Sequence, residues 1–121
     1  MSISVSDLLE AKARKFGTSK TSTQFQAQFL DAVNNTLDDI ENLVGVATTR
    51  LTSTSGSIDI DQQRYSVVLS MGIDFYLQDS GEFAVKSLEG VDARYRDKLK
   101  TARMNYEQNE LDQHGKLGDL T

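Results

Sequence analysis

The chain has 121 residues, 38% of them hydrophobic and 26% charged, with a net charge of −5, no proline, cysteine or tryptophan, and a single histidine, His114. A chain of this length forms one domain and buries about two-thirds of its unfolded surface without metals or staples. Lacking cysteine, it has no disulfide framework, thiolate zinc site or cysteine nucleophile, and a pI of about 4.7 argues against a nucleic-acid-wrapping protein.

The charge is unevenly placed. Residues 31–82 carry nine acids against two bases, Arg50 and Arg64. Residues 91–104 carry five bases (Arg94, Arg96, Lys98, Lys100, Arg103) against two acids. Two readings follow: solvated helix faces, or complementary surfaces through which one subunit's acidic side meets its neighbour's basic side. No run of 18 apolar residues is present, so no membrane-spanning segment is expected. The first residues, MSISVSDLLEAKARKFG, lack the early positive charge and apolar stretch of a signal peptide, which points to a reducing cytosol.

The first predicted helix is capped by Ser4 or Ser6. Val5, Leu8, Leu9, Ala13 and Phe16 form its apolar stripe, and Gly17 stops it. Residues 18–23 are a polar connector. The second helix is the clearest: Phe25, Phe29, Val33, Leu37, Ile40 and Val44 make one inward face. Thr21 with Gln24, or Thr23 with Gln26, offers a capping box, and Gly45 ends the run. Residues 46–60 exchange helix formers for threonine, valine and isoleucine around a Ser/Gly-rich centre. They predict a β-hairpin or an extended excursion packed on the helices or paired with another subunit.

The third helix starts at Asp61 as N-cap and runs to about Gln78, apolar almost all round and therefore buried. Gly72 in its centre costs about 1 kcal/mol against alanine, and close approach of a neighbouring helix is the expected return. Asp74 is an acid in apolar company: surface-facing or hydrogen-bonded on the plain reading, a functional acid on the sharper one. Residues 79–81 read as a turn and 82–89 as a short helical piece. A long amphipathic helix follows, with Val91, Tyr95, Leu99, Ala102 and Tyr106 inward and with Asp92–Arg96 and Arg103–Glu107 as i,i+4 pairs. Residues 111–121 lose the period, gain two glycines and keep Leu111, Leu117 and Leu120. They read as a tail, frayed or docked through its leucines on a partner. The sum is an all-α fold: one domain over residues 1–110, a small bundle of four to five helices with the excursion at 46–60 and a C-terminal tail at 111–121.

Chemistry is hard to find in this sequence. It has no G-x-S-x-G elbow, and its one histidine sits in the tail. No phosphate-binding glycine loop is present. Asp59-Ile60-Asp61 opens like a calcium loop but lacks the glycine and closing glutamate, so helix capping is the expected task. Asp38, Asp39 and Glu41 bring carboxylates together on one helix, read as a solvated acidic face. The basic helix lacks the interleaved aromatics that stack bases. No catalytic, cofactor-binding or metal-binding residue is expected, and no enzyme activity. Such a protein works by surface, and the candidate interface residues are Arg94, Arg96, Lys98, Lys100, Arg103, Asp38, Asp39, Glu41, Leu111, Leu117 and Leu120.

The layout carries a resemblance. A capped amphipathic helix over residues 24–44 leads into a β-branched excursion ending in Ser-Ile-Asp-Ile-Asp (57–61). A helix with Tyr65 and Gly72-Ile73-Asp74-Phe75-Tyr76-Leu77 comes next, then an Arg/Lys-rich helix with Tyr95 and Tyr106, then a tail. This resembles the helical head–tail connector, or adaptor, proteins of tailed bacteriophages, over roughly residues 21–110. The resemblance implies a virion structural protein, made in the host cytoplasm. It would form a ring, commonly of twelve copies, between portal and tail, with DNA passing through the lumen without specific binding. It also implies that the 111–121 tail docks on the portal and that the 46–60 excursion meets a neighbour or a tail component. An acidic inner surface would let DNA slide, a use of the acidic residues that competes with subunit pairing. The alternative is a small acidic helical chaperone or anti-factor that masks one protein partner. It differs in staying monomeric or dimeric where an adaptor forms a ring on the portal.

Overall fold

The computed structural model describes residues 3–79 and 91–119, with side chains described over 3–78 and 93–108. The fold is mostly helical, as the periodicity predicts. A short strand β1 (Ile3–Ser4) leads into α1 (Val5–Lys15), and α2 (Thr23–Asp39) continues into a π-helical turn (Ile40–Val44). A second short strand β2 (Ser57–Ile58) precedes α3 (Gln62–Asp79), and α4 (Val91–Asp119) is last. The expected turn at 79–81 and helical piece at 82–89 fall almost wholly outside the described residues.

Capping sets the helix starts. The Ser4 hydroxyl accepts the Asp7 N–H at 3.4 Å and begins α1. Ser22, rather than Thr21 or Thr23, begins α2, its hydroxyl accepting the Phe25 N–H at 3.3 Å. The expected capping box is absent because residue N3 is then Phe25. Gln26 instead donates its side-chain amide to the Lys20 carbonyl at 2.6 Å. Asp61 caps α3 as expected, Oδ1 accepting the Gln63 N–H at 3.0 Å.

The inward face of α2 lies where its spacing puts it: Phe25, Phe29, Val33, Leu37, Ile40 and Val44 are all buried. Its steps are mostly four residues, longer than the 3.6 of an α-helix. The wider π turn at Ile40–Val44 takes up part of that drift and keeps Ile40 and Val44 inside. Gly45 closes the turn at φ +105°, a conformation that favours glycine.

The excursion at 46–60 is extended rather than a hairpin. Its one strand, β2, pairs antiparallel with β1, Ile3 opposite Ile58 and Ser4 opposite Ser57. The Val5 N–H adds a bond to the Gly56 carbonyl at 3.2 Å. The remainder is pinned to α2. Asn34 donates to the Leu51 carbonyl at 3.0 Å and accepts the Leu51 N–H at 2.8 Å, the two bonds a strand partner would make. Thr48 donates its hydroxyl to the Leu37 carbonyl.

Helix α3 is the centre of the bundle, packed on α2 and α4. Tyr65, Val68, Leu69, Ile73 and Leu77 are buried in it. Gly72 marks the closest approach. A Cβ there would lie 2.3 Å from Thr36 Cγ2 on α2 and 2.8 Å from Tyr95 Cε1 on α4. The glycine thus admits two neighbours, one more than expected. Residues 111–119, read as tail, have helical backbone and form the last turns of α4.

Candidate interaction surface

The acidic residues of the interface set do not form one free patch. Asp38 pairs with Arg50 from the excursion. Glu41 accepts the Thr48 N–H at 3.0 Å and so holds the excursion's entry. Asp39 turns inward. Its Oδ2 accepts the hydroxyls of Tyr76 (2.5 Å, α3) and Tyr95 (2.7 Å, α4). Around it Phe75 and Tyr76 meet edge to face with centroids 4.9 Å apart, and Phe75 stacks on Tyr95 at 5.7 Å. Burial, and then the hydrogen bond to Asp39, push the Tyr95 hydroxyl well above its ordinary pKa. The expectation of a solvated acidic face is corrected for Asp39, a tie between three helices, while Glu41 stays exposed and Asp38 partly exposed.

Asp74 is buried and hydrogen-bonded rather than surface-facing. Lys12 on α1 donates to its Oδ1 at 2.7 Å, and Lys15 to its Oδ2 at 2.5 Å. Lys12 also donates to the Ser70 hydroxyl at 2.6 Å and carbonyl at 3.2 Å, filling its three donors. Only 4% of Lys12 is exposed. Burial lowers its pKa, opposed by the bond and charge of Asp74. Lys12 stands with Arg14 and Lys15 in the basic last turn of α1, yet it is buried. It lies three residues after Leu9 and four before Phe16, and that spacing is the signal that puts it on the core face.

The bases of α4 are exposed but do not make one patch. Tyr95, Leu99 and, partly, Ala102 and Tyr106 face the bundle. Arg94 and Lys98 follow one flank of that seam. Arg96, Lys100 and Arg103, at i, i+4 and i+7, follow the other. Arg103 pairs with Glu107 at 3.0 Å, as predicted. The Asp92 side chain, and with it the predicted pair to Arg96, lies outside the described residues. Among the described residues Arg94, Arg96, Lys98 and Lys100 make no ion pair. The side chains of Leu111, Leu117 and Leu120 likewise lie outside the described residues.

On the second flank, Arg96, Lys100 and Arg103 border a groove of about 250 Å³ with Leu43 and Leu99 in it. The π turn places Leu43 there, 50% exposed. A smaller cavity of about 150 Å³ adjoins it, shares Leu43, Arg96 and Leu99, and reaches Asp39, Tyr76 and Tyr95. No family model, curated protein or solved structure matches this chain. Among the described residues no three His, Cys, Asp or Glu side chains gather as a metal site, and no described helix is long and apolar enough to cross a membrane. What this flank presents is a cationic wall beside an exposed leucine.

Proposed function

We propose that this chain is a structural protein of a tailed-phage virion, an adaptor that forms a ring between portal and tail. In that role it sits at the virion neck, with no enzymatic activity and no specific hold on the DNA passing through. The observation that carries the reading is the order of elements. A capped amphipathic helix, an extended excursion, a central helix built around Gly72 and a long basic helix follow one another in the layout that resembles such adaptors. The exposed bases on both flanks of α4 support it, because a ring subunit must present different surfaces to its two neighbours. The masking alternative rests on acidity and small size. The apolar residues of α3 support it less, since most are buried in this chain's own core.

Co-sedimentation with a purified portal ring tests the proposal. The wild-type chain is expected to travel with the portal at physiological salt. A variant carrying Arg94→Glu, Arg96→Glu and Lys98→Glu is expected to lose most of that binding. Absence of wild-type binding, with the chain remaining monomeric or dimeric, would overturn the adaptor reading in favour of the masking one.

A further inference from the structure

The groove beside Leu43 has a composition that specifies its occupant. Its interior holds two leucine side chains, one of them half exposed on a turn whose other apolar residues, Ile40 and Val44, are buried. Arg96 and Lys100 stand four residues apart along it, like charges that repel at that helical spacing. Neither is neutralised by an ion pair among the described residues. A carboxylate-bearing segment with leucines would fill the groove and relieve that repulsion.

This chain contains such a segment. Residues 109–121 read NELDQHGKLGDLT and hold Glu110, Asp112 and Asp119 against one base, Lys116, with Leu111, Leu117 and Leu120 between them. The segment cannot reach the groove of its own chain. α4 is helical through Asp119, and at 1.5 Å per residue Leu111 lies about 16 Å further along the same helix than Lys100. We propose that the groove receives the 109–121 segment of a second copy of this chain. Leu111 would enter beside Leu43 and Leu99, and Asp112, next to it on the helix, would face Arg96 and Lys100. The contact joins unlike surfaces, so each copy both gives a segment and receives one. Such contacts close into a ring where the rotation between copies allows it and otherwise run on as an open filament. This inference does not rest on the adaptor reading. Within that reading it assigns the tail to a neighbouring subunit rather than to the portal.

The test is a titration of the isotope-labelled full chain with a synthetic peptide of residues 109–121 at low salt. Saturable amide shifts are expected at Leu43, Arg96, Leu99 and Lys100, together with a fall in any self-association measured by sedimentation. Leu43→Ser, and separately Arg96→Glu with Lys100→Glu, are expected to weaken binding at least tenfold while leaving the circular dichroism spectrum unchanged. A peptide with Asp112→Lys is expected to bind the charge-reversed chain better than the wild type. Any of three outcomes overturns the proposal: no shifts at millimolar peptide, shifts confined to another face, or equal binding by a peptide of scrambled order. Failure of portal binding alongside success here would sink the adaptor reading and leave this contact standing.

Discussion

An ammonium group taken out of water needs a carboxylate beside it, and Lys12 meets that requirement through Asp74. Asp74→Ala should therefore destabilise the protein by about 3–5 kcal/mol, because it leaves Lys12 buried without a counter-charge. Urea unfolding measures the loss. The double variant Lys12→Met with Asp74→Leu should recover most of it. Gly72→Ala should also destabilise, by about 1–3 kcal/mol from overpacking, less up to about 1 kcal/mol gained in helix propensity. The added methyl meets Thr36 and Tyr95 at contacts that real side chains do not tolerate. Tyr95 carries a pH dependence. Its folded pKa is raised, so above about pH 10 the unfolded chain sheds a proton that the folded chain keeps. Stability is then lost as pH rises, at about 1.4 kcal/mol per pH unit. Lys12 acts in the opposite sense: its lowered pKa makes stability rise with pH between its folded value and 10.5. Chemical denaturation between pH 9 and 12 should show a shallower alkaline decline for Tyr95→Phe than for wild type. Of these residues, Gly72 was legible as a close approach. Asp74 was legible only as an acid in apolar company, because its partners lie about 60 positions away on α1 and no local period points to them.

At the scale of elements, the excursion gains its order from side chains on α2. Asn34→Ala removes both bonds to Leu51 and should raise hydrogen exchange at the Leu51 amide by roughly tenfold, with about 1–2 kcal/mol lost overall. The helices themselves were legible, since amphipathic periods of this length have few alternatives. The capping serine of α2 was not distinguishable from its threonine neighbours. Nor was the pairing of the excursion: its strand partner is β1, at the far end of the chain, and a two-residue strand leaves almost no period to read. The π turn was hinted at only by the steps of four along the inward face of α2. Its consequence, the exposure of Leu43, was not visible in the sequence at all.

Across the whole molecule, the formal charge map and the working one differ. Asp38, Asp39, Glu41 and Asp74 are engaged within the chain, so the acidic middle offers partners less than its residue count suggests. The bases of α4 are divided between two flanks, and the reversal of Arg94, Arg96 and Lys98 touches both. Reversal of Arg96 and Lys100 touches one. Comparing the two variants by sedimentation separates contacts of the two flanks. Any association that runs through these exposed bases should weaken as salt is raised from about 50 to 500 mM, since the screening length falls from more than 10 Å to less than 5 Å over that range.

The pairing of Ile3 with Ile58, and of Lys12 with Asp74, also bears on how the molecule comes into being. During synthesis α1 emerges first, yet its strand partner follows 55 residues later and its counter-charge 62 residues later. At about 5–20 residues per second the ribosome needs roughly 3–12 s to supply Asp74. For that interval Lys12 has no counter-charge to draw it out of water, and β1 has no strand to pair with. The first helix to be made is thus among the last to be fixed in place.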